Sequence, residues 1–517
     1  MAARRDVLPD SAADAFQRPL HDHPGSLALV ARDARMTYED LDGAVDHAAG
    51  VLHRHGVRRG DVVAISLPNT SAVVVSFYAA QRLGAIWLGV NQNLAPPEKQ
   101  FMLDDTDATL FVTDDERCAR EHESHRTLVV HEASDAGWHA WSGGAYPRAR
   151  PRPSDPAGIA YTSGTTGHPK GVVHTHHNVL LPGAVLVASR GYDSSLRKGD
   201  CAALTILNLQ VTSTLLVAQA GGTQVVMDRV DPSGVARWIR DESVTSWFGV
   251  PTLLHGLSGS EDVQREDLES LTDVWTGGTF LAASIRRAFE ERFAKRVSAT
   301  YGLTEVPTIV TIEDGGDPRV AESSGRTLPH LVVEIRDDDG AVVPVGEVGE
   351  ITVRARESGE WARAYEPMVG YLGHAGATAA ALKGGVLFTG DIGQLDPAGN
   401  LSVRDRRRAL ILRGGANVYP AEVERVLLEI DGVGGASVVG VDDERLGQRV
   451  AAAVELDAGH ELDASVLTEH CVQQLARYKV PERWRIGPLP RNAMGKVARR
   501  EVETWFANGT GGTSHGA

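Results

Sequence analysis

The sequence predicts an α/β protein, with a large N-terminal domain of α/β units and a small β region, followed by a smaller α+β domain. Short apolar runs alternate with helical patterns between residues 27 and 113, which is typical of largely parallel sheets covered by helices. The chain has 517 residues, more than one hydrophobic core usually serves, so at least two domains are expected. After residue 332 the pattern changes to short strands and then to a compact mixture of strands and helices.

The first region gives the clearest individual elements. Short apolar runs predict strands, and longer apolar segments of helical pattern predict helices. Thr37 is a suitable N-cap, because its hydroxyl can accept a hydrogen bond from a backbone N–H of the first helical turn. The predicted strands are 26–30, 62–67 and 110–112, and the predicted helices begin near Tyr38 and span 71–83.

Residues 120–155 are mostly polar and contain several prolines, a pattern that indicates a surface connection. Cys118, His122 and His125 lie in or beside this connection, and we expect them to be solvated. Three further histidines, at positions 174, 176 and 177, would point to both faces of a strand, which argues against a metal site there.

Past residue 332, segments 333–336, 350–354 and 401–404 predict a small antiparallel β region. An α+β domain follows, with a boundary near residues 404–409. Residues 508–517 contain no apolar residue except the last alanine, so we expect this tail to be disordered. The predicted elements of the α+β domain are strands 410–412, 436–439 and 451–456 and helices 421–429 and 464–476.

Charge and composition exclude several classes of function. The formal net charge of −16 argues against a nucleic-acid partner and against an anionic membrane surface. Apolar stretches such as 72–90, which is broken by Gln81 and Arg82, are too polar for a membrane span, and the N-terminus has no apolar signal region. The three cysteines are far apart in sequence and form no disulfide framework, which indicates a reducing, cytoplasmic location.

Residues 161–171, YTSGTTGHPKG, form the most informative segment and lie between two apolar runs, as a loop between strands would. Glycines allow backbone N–H groups to approach phosphate oxygens, hydroxyls donate further hydrogen bonds, and Lys170 adds a positive charge. The segment therefore suits an oligophosphate. It is not a Walker A loop, because Pro169 stands directly before the lysine, and the chain contains no GxGxxG string.

This segment resembles the signature of the adenylate-forming superfamily, which includes acyl-CoA synthetases, nonribosomal peptide adenylation domains and luciferases. The resemblance extends from about Met36 to Arg499, because further motifs follow in the family's order. These are WTGGTF at 275–280, YGLTE at 301–305, FTGDIG at 388–393, a hinge string at 405–424 and PLPRNAMGK at 488–496.

The resemblance implies roles for individual residues. Tyr301 would pack on adenine, Asp391 would accept hydrogen bonds from the ribose hydroxyls, and Glu305 would hold Mg²⁺, for which a carboxylate is a suitable hard ligand. The catalytic residues it implies are Lys170, Thr304, Glu305 and Lys496. The implied ATP-binding residues are Thr162, Ser163, Gly164, Thr165, Thr166, Gly167, Gly278, Thr279, Tyr301, Gly302, Asp391 and Arg406.

The hinge string and the lysine loop imply a mobile C-terminal domain. Arg408 falls on the hinge position, where the family uses Asp or Lys, and Ala409 replaces a usual acidic residue. Lys496 would bridge the attacking carboxylate and the α-phosphate and neutralise charge in the transition state. The expected organisation is an ATP- and acid-binding domain at 1–404, a hinge at 405–408, a mobile domain at 409–507 and the tail at 508–517.

The predicted acid pocket contains the chief departure from the family pattern. Members that make acyl-CoA usually carry a gate histidine, but there is none between Asn178 and Leu254, and Asn208 or a neighbour is expected at the gate. The family's GSxG string is also altered, to ESSG at 322–325. The pocket residues that the resemblance implies are Asn208, Trp247, Phe248, Trp275, Gly277 and Val306.

These observations predict an ATP- and Mg²⁺-dependent ligase that activates a small aryl or medium aliphatic acid as acyl-AMP and transfers it to coenzyme A. The altered gate keeps a second option open, in which a small acid or oxyacid such as nitrite is adenylated and passed to an amine or an external carrier protein. A non-catalytic nucleotide-binding homologue is disfavoured, because a sensor would not need Lys496. A GxSxG match at 512–516 lies in the predicted tail and gives no support for a serine hydrolase.

Overall fold

The structure is a computed structural model that describes most of the chain. Helices and strands alternate through its first three hundred residues, as the sequence predicts. The described residues are 8–130, 138, 143–162, 169–278, 281–316, 319–406, 409, 411–413, 416–443, 446–475, 477–492 and 495–507.

The helices are mostly short and cover the faces of the sheets. A π-helix at Gln210–Leu215 joins α7 to α8, and short 3₁₀ turns lie at Ala12–Asp14, Arg265–Leu268 and Arg477–Lys479. The α-helices are α1 Gln17–Asp22, α2 Tyr38–Arg54, α3 Ser71–Arg82, α4 Pro96–Asp105, α5 Glu116–Glu121, α6 His176–Arg190, α7 Leu207–Leu209, α8 Leu216–Ala220, α9 Pro232–Asp241, α10 Pro251–Gly259, α11 Ala283–Phe293, α12 Ala375–Ala381, α13 Pro420–Leu427, α14 Ala464–Gln474 and α15 Arg499–Ala507.

The strands of the first region are short, buried runs, and those after residue 330 are longer on average. They are β1 Leu27–Val30, β2 Arg35–Thr37, β3 Val62–Ser66, β4 Ile86–Gly89, β5 Leu110–Thr113, β6 Thr127–Val129, β7 Pro156–Thr162, β8 Lys170–Thr175, β9 Arg197–Asp200, β10 Thr223–Val226, β11 Ser246–Phe248, β12 Asp273–Thr276, β13 Val297–Leu303, β14 Thr308–Ile312, β15 Arg326–Thr327, β16 Leu331–Arg336, β17 Gly349–Ala355, β18 Gly370–Tyr371, β19 Leu382–Lys383, β20 Val386–Leu395, β21 Leu401–Arg406, β22 Ile411–Arg413, β23 Ala416–Val418, β24 Val433–Asp443, β25 Gly447–Leu456 and β26 Arg483–Ile486.

Within the described parts of the chain these strands form four sheets. Two are large and mixed: one of nine strands in the order β15-β14-β13-β12-β11-β9-β10-β1-β2, and one of seven in the order β18-β8-β7-β4-β3-β5-β6. Their central pairs are parallel, and antiparallel pairs lie toward their edges. A small antiparallel sheet (β16, β17, β19, β20, β21) and a C-terminal sheet (β22 to β26) complete the fold.

Parallel strands bring their carboxyl ends to one edge of a sheet, and ligand sites in open α/β sheets lie at that edge. Strands β9, β11, β12 and β13 are consecutive parallel neighbours in the nine-stranded sheet. Strand β11 ends with the predicted pocket residues Trp247 and Phe248, and the strings WTGGTF and YGLTE begin at the carboxyl ends of β12 and β13, so these segments meet at one edge.

Most predicted elements are confirmed, with shifts of a few residues at their ends. Thr37 caps α2 as expected: its side chain accepts a hydrogen bond from the Asp40 N–H, and the Asp40 carboxylate accepts one from the Thr37 N–H. The mixed α/β architecture, with a large N-terminal and a small C-terminal part, is also as predicted.

Two expectations about solvation are wrong. Cys118 and His122 are buried, because residues 116–121 form α5 and this helix packs its inner face against Phe111. The connection after residue 120 is not wholly irregular, since β6 extends the seven-stranded sheet beside β5. Residues 131–137 and 139–142 of that connection lie outside the described residues.

The histidine cluster also differs from expectation. Only His174 lies on a strand; α6 begins at His176, and all three side chains are buried. His177 Nε2 donates to the Ala364 carbonyl oxygen over 2.6 Å. The three rings therefore serve separate contacts rather than one shared site.

The C-terminal part has its own hydrophobic clusters, formed by residues between 411 and 506. The boundary near residues 404–409 stays a prediction. Among the described residues, no helix is both long and apolar enough to cross a membrane.

Candidate active site

The predicted phosphate loop joins β7 to β8, which pair antiparallel from Pro156 and Thr175 to Thr162 and Lys170. Thr162 and Lys170 are the last paired residues, so the loop leaves and re-enters the sheet at directly opposed positions. Ser163, Gly164, Thr165, Thr166 and Gly167 lie outside the described residues.

Lys170 points toward an aromatic ring supplied by a distant part of the chain. Its Nζ lies 5.3 Å from the centroid of the Tyr371 ring, a distance typical of a cation–π contact. Tyr371 reaches this position because β18 pairs with β8, with Tyr371 opposite Val172.

Tyr371 also connects the lysine to the predicted metal ligand. Its hydroxyl donates to Glu305 Oε1 over 2.9 Å. Lys170, Tyr371 and Glu305 are therefore contiguous, although they are far apart in sequence. A cation and a carboxylate held on either side of one phenol form a polar corner into which phosphate and Mg²⁺ could fit.

The neighbouring residue, Thr304, is held through its backbone. His174 Nε2 lies 2.8 Å from the Thr304 carbonyl oxygen, so this nitrogen carries the proton and donates. Complete burial lowers the pKa of His174 to about 4, which keeps the ring neutral at physiological pH. His174 thus anchors the backbone that carries Thr304 and Glu305.

Tyr301 and Asp391 meet from two different sheets. Tyr301 lies on β13, Asp391 lies on β20, and the Tyr301 hydroxyl donates to Asp391 Oδ2 over 2.7 Å. Both side chains are buried, at 8% and 6% exposure. Gly302 follows on β13 and is exposed. The residues predicted to bind adenine and ribose are therefore adjacent in space.

The two glycines after β12, Gly277 and Gly278, occupy positions where other residues would not fit well. A Cβ on Gly277 would lie 2.3 Å from Thr300 Oγ1, so no side chain fits there. Gly278 has φ +81°, in the left-handed region that glycine adopts readily. Thr279 lies outside the described residues.

Lys496 reaches this glycine pair from the C-terminal domain. A Cβ placed on Gly278 would lie 3.6 Å from Lys496 Nζ. The lysine belongs to a tight turn closed between Arg491 and Val497, which we call the lysine hairpin: the Asn492 N–H donates to the Lys496 carbonyl oxygen, and the Lys496 N–H donates to Asn492 Oδ1. The predicted catalytic lysine and the predicted nucleotide-binding glycine pair are therefore close together.

Two further contacts join the N-terminal and C-terminal parts of the protein in this structure. His255 Nε2 lies 3.4 Å from Asp457 Oδ1, and Ser284 Oγ donates to the Leu428 carbonyl oxygen over 3.3 Å. The proximity of Lys496 to Gly278 is therefore part of a wider interface between the two parts.

The predicted acid-pocket residues do not all lie on one face of the nine-stranded sheet. Phe248 and Trp275 are opposite each other in register and point to the same side. Trp247, one position earlier, points to the opposite side and is fully buried in a separate hydrophobic cluster. The structure does not bring Trp247 together with Phe248 and Trp275.

The face that carries Trp275 also contains two buried charged side chains. Lys198 Nζ lies 5.1 Å from the centroid of a Trp275 ring and 2.9 Å from Asp200 Oδ1, and both charged side chains are almost fully buried. Val306 packs in the same hydrophobic cluster as Trp275.

Asn208, the predicted gate residue, lies on α7 directly before the π-helix. Its Oδ1 is buried and has no hydrogen-bond partner among the residues described. Short π-helical segments often occur at functional sites. The placement is compatible with a gate, whose role stays a prediction.

Of the two arginines in the hinge string, one lies on a described strand. The backbone of Arg406 pairs with Asp391 between β21 and β20, which places this residue beside the Asp391 strand. Arg408 lies outside the described residues.

A bound metal would depend on Glu305. Within the described ranges, no group of three or more His, Cys, Asp or Glu side chains could hold an ion. In nucleotide sites Mg²⁺ is usually held by one or two carboxylates together with phosphates and water. Glu305, oriented by Tyr371, fits an ion that arrives with the nucleotide.

Sequence reasoning missed Tyr371 and His174. Tyr371 stands outside every motif, and only the β18–β8 pairing brings it to Lys170. The sequence analysis considered His174 only as a possible metal ligand. The available signal was its position four residues after Lys170, on the strand that follows the phosphate loop.

The fold and this site define an adenylate-forming enzyme. The family model for AMP-binding enzymes matches residues 16–361, more than half of the chain, so the protein belongs to that family. The model for the C-terminal domain of AMP-binding enzymes matches residues 422–496.

The chain is similar to proteins that are named as coenzyme A ligases and as an amide bond synthetase. The chain is 33% identical over 512 residues to indoleacetate–CoA ligase of Aromatoleum aromaticum, covering 94% of this chain and 96% of that protein. o-Succinylbenzoate CoA synthetase of Bacillus subtilis, solved with its acyl-adenylate intermediate, superposes with a TM-score of 0.85 at 29% identity, covering 95% and 98% of the two chains. The amide bond synthetase McbA of Marinactinospora thermotolerans gives a TM-score of 0.83 at 29% identity, covering 96% and 100%.

Proposed function

We propose that this protein is an AMP-forming acid–thiol ligase, which activates a small aryl or medium aliphatic carboxylic acid with ATP and transfers the acyl group to coenzyme A. The position of Lys496 beside Gly278, next to the Tyr301 and Asp391 motifs, is the observation that carries the proposal. Two of the relatives are named as coenzyme A ligases of acids with an aromatic ring, indoleacetate and o-succinylbenzoate, and their names support the substrate class.

In the first step, a carboxylate oxygen of the acid attacks the α-phosphorus of ATP and pyrophosphate leaves. Lys496 neutralises charge between the carboxylate and the α-phosphate, while Lys170 holds the outer phosphates. Mg²⁺ held by Glu305 would neutralise further phosphate charge. Tyr301 packs on adenine, and Asp391 accepts hydrogen bonds from the ribose.

In the second step, the sulfur of coenzyme A attacks the acyl carbon, AMP leaves, and the thiol proton passes to solvent. The C-terminal domain rotates about Arg408, so that one site serves two transition states. We assign residues 1–404 to the ATP- and acid-binding domain, 405–408 to the hinge and 409–507 to the mobile domain. The three free cysteines support a reducing cytoplasmic location.

A second candidate is transfer of the activated acid to an amine or to an external carrier protein. The similarity to an amide bond synthetase favours the amine, and the asparagine at the predicted gate is compatible with an altered second step. A small oxyacid such as nitrite could then replace the carboxylic acid.

The test is a mass-spectrometric product assay with MgATP, a panel of aryl and aliphatic acids with nitrite included, and coenzyme A present or omitted. AMP together with a coenzyme A thioester would support the ligase and name its acid. AMP without a thioester, with consumption of an added amine, would support the second candidate. No AMP with any acid would contradict both.

A further inference from the structure

Glu322 adopts a backbone conformation that is unfavourable for its residue type. Its φ is +60°, in the left-handed region where a side chain with a Cβ crowds the backbone. Glu322 is also the first residue of the ESSG string, where the family pattern has glycine. A strained non-glycine residue persists only where the surrounding structure holds it, and such residues concentrate at functional positions.

The turn that carries Glu322 is fixed against the strand that leads to the hinge. The Ser324 N–H donates to the Leu401 carbonyl oxygen over 2.8 Å, and the Leu401 N–H donates to the Gly325 carbonyl oxygen over 2.9 Å. Gly325 cannot be replaced, because a Cβ there would lie 2.0 Å from the Ile312 carbonyl carbon. Glu322 is therefore held in a fixed position beside β21.

The carboxylate of Glu322 contacts arginines on both sides of the proposed hinge at 405–408. On the N-terminal side, Arg404 Nη1 lies 3.3 Å from Glu322 Oε2. On the C-terminal side, Arg425 Nε of helix α13 lies 3.0 Å from Glu322 Oε1. All three side chains are about one-third exposed, so the pairs are partly shielded from water but can still open.

We propose that Glu322 is a positioning residue for the adenylation step: its carboxylate ties Arg425 of the C-terminal domain to Arg404 and so favours the arrangement in which Lys496 meets Gly278. This inference rests on the proposed function. Rotation for the second step separates Arg425 from Glu322, so the contact favours the first step and opposes the second.

The test compares Glu322→Gly with a matched control. Glycine removes the carboxylate and also relieves the left-handed strain, so we expect folding stability to be unchanged or higher. Glu429→Gln is the control. Glu429 Oε1 also pairs with Arg425, over 2.7 Å, but both residues of this pair lie on the C-terminal side of the hinge. A merely structural role for Glu322 predicts lower stability in the Glu322→Gly variant.

The first readout needs no knowledge of the acid. In a His255→Cys and Asp457→Cys background, a short bis-maleimide reports how often the two parts are in contact, since these side chains lie 3.4 Å apart. The three natural cysteines are buried and should not compete. Glu322→Gly should lower the yield of cross-linked protein about threefold, and Glu429→Gln should not.

The second readout separates the two half-reactions with the acid found in the product assay. Glu322→Gly should slow acid-dependent ATP–pyrophosphate exchange about threefold and leave transfer from supplied acyl-adenylate to coenzyme A unchanged or faster. Wild-type cross-linking and exchange in Glu322→Gly would overturn the proposal. A lowered cross-link yield in a protein that makes no AMP would support the role of Glu322 in positioning and contradict the proposed ligase.

Discussion

The nucleotide wall, which we define as Tyr301, Glu305 and Asp391, and the lysine hairpin border the same site but are held by different contacts. The wall is built within the N-terminal part, and its side chains accept or donate hydrogen bonds that join separate sheets. Lys496 of the lysine hairpin is exposed and reaches the site from the C-terminal part. The wall is therefore a permanent feature, whereas the contribution of Lys496 depends on how the two parts are arranged.

The largest effect should come from Lys496→Ala. Adenylate formation should fall by a factor of about 10² to 10³, because the charge between carboxylate and α-phosphate is no longer neutralised. Transfer from a supplied acyl-adenylate to coenzyme A should be spared. Pyrophosphate exchange and single-step thioester formation measure the two rates, and equal losses in both would refute the proposed role of Lys496.

Asp391→Ala tests whether the wall binds the nucleotide. The ribose loses its acceptor and the Tyr301 hydroxyl loses a buried partner, so the KM for ATP should rise about tenfold or more. Tyr301→Phe is the matched control, since it removes the same hydrogen bond but keeps the carboxylate for ribose. An unchanged KM in Asp391→Ala would mean that the TGD string does not bind the nucleotide.

Tyr371→Phe should produce a smaller change, confined to the metal. The ring remains for Lys170, but Glu305 loses the hydroxyl that orients it. We expect the Mg²⁺ concentration for half-maximal activity to rise about threefold, with little change in the KM for the acid. A titration of activity against free Mg²⁺ at saturating ATP measures this, and a changed acid KM alone would contradict it.

The stability of the N-terminal part should depend on pH, because it contains buried histidines, one of which contacts the backbone beside the wall. Burial lowers the pKa of His174 and of His176 to about 4, so between pH 6.5 and 4 the unfolded chain binds more protons than the folded one. The free energy of unfolding should therefore fall as the pH falls through this window, by up to about 1.4 kcal/mol per pH unit for each ring.

His174→Gln checks that assignment. Glutamine can still donate to the Thr304 carbonyl oxygen but does not titrate, so the variant should lose less stability than the wild type between pH 6.5 and 5. Denaturant unfolding at several pH values gives the comparison. Identical slopes for the two proteins would show that His174 is not protonated on unfolding in this range.

The motifs were readable from sequence because their chemistry is local. A loop rich in glycine, hydroxyls and one lysine predicts phosphate binding without knowledge of the fold, whereas the base- and metal-binding roles of the YGLTE string were predicted from its resemblance to the family. The strands around them were also predicted well, since buried parallel strands appear as short apolar runs.

Contacts between segments that are distant in the chain could not be predicted from the sequence. Whether Trp247 or Phe248 faces the pocket depends on the register of β11 against β12, and a shift of one residue reverses the answer. Tyr371 and Glu322 act through pairs with residues 66 and more positions away, and no local pattern marks such pairs. The burial of Cys118 likewise depends on a helix that the polar composition of its segment concealed.

The register of β7 and β8 makes the position of Lys170 independent of the loop that precedes it. Since Thr162 and Lys170 are directly opposed, the span between the ends of the loop is set by one strand-to-strand spacing, whatever sequence connects them. Lys170 is therefore anchored by the sheet, and its location does not vary with the length or composition of the loop. Evolution or design could lengthen the loop to suit a different polyphosphate at a closure cost that grows only slowly with length, while the lysine stays in register.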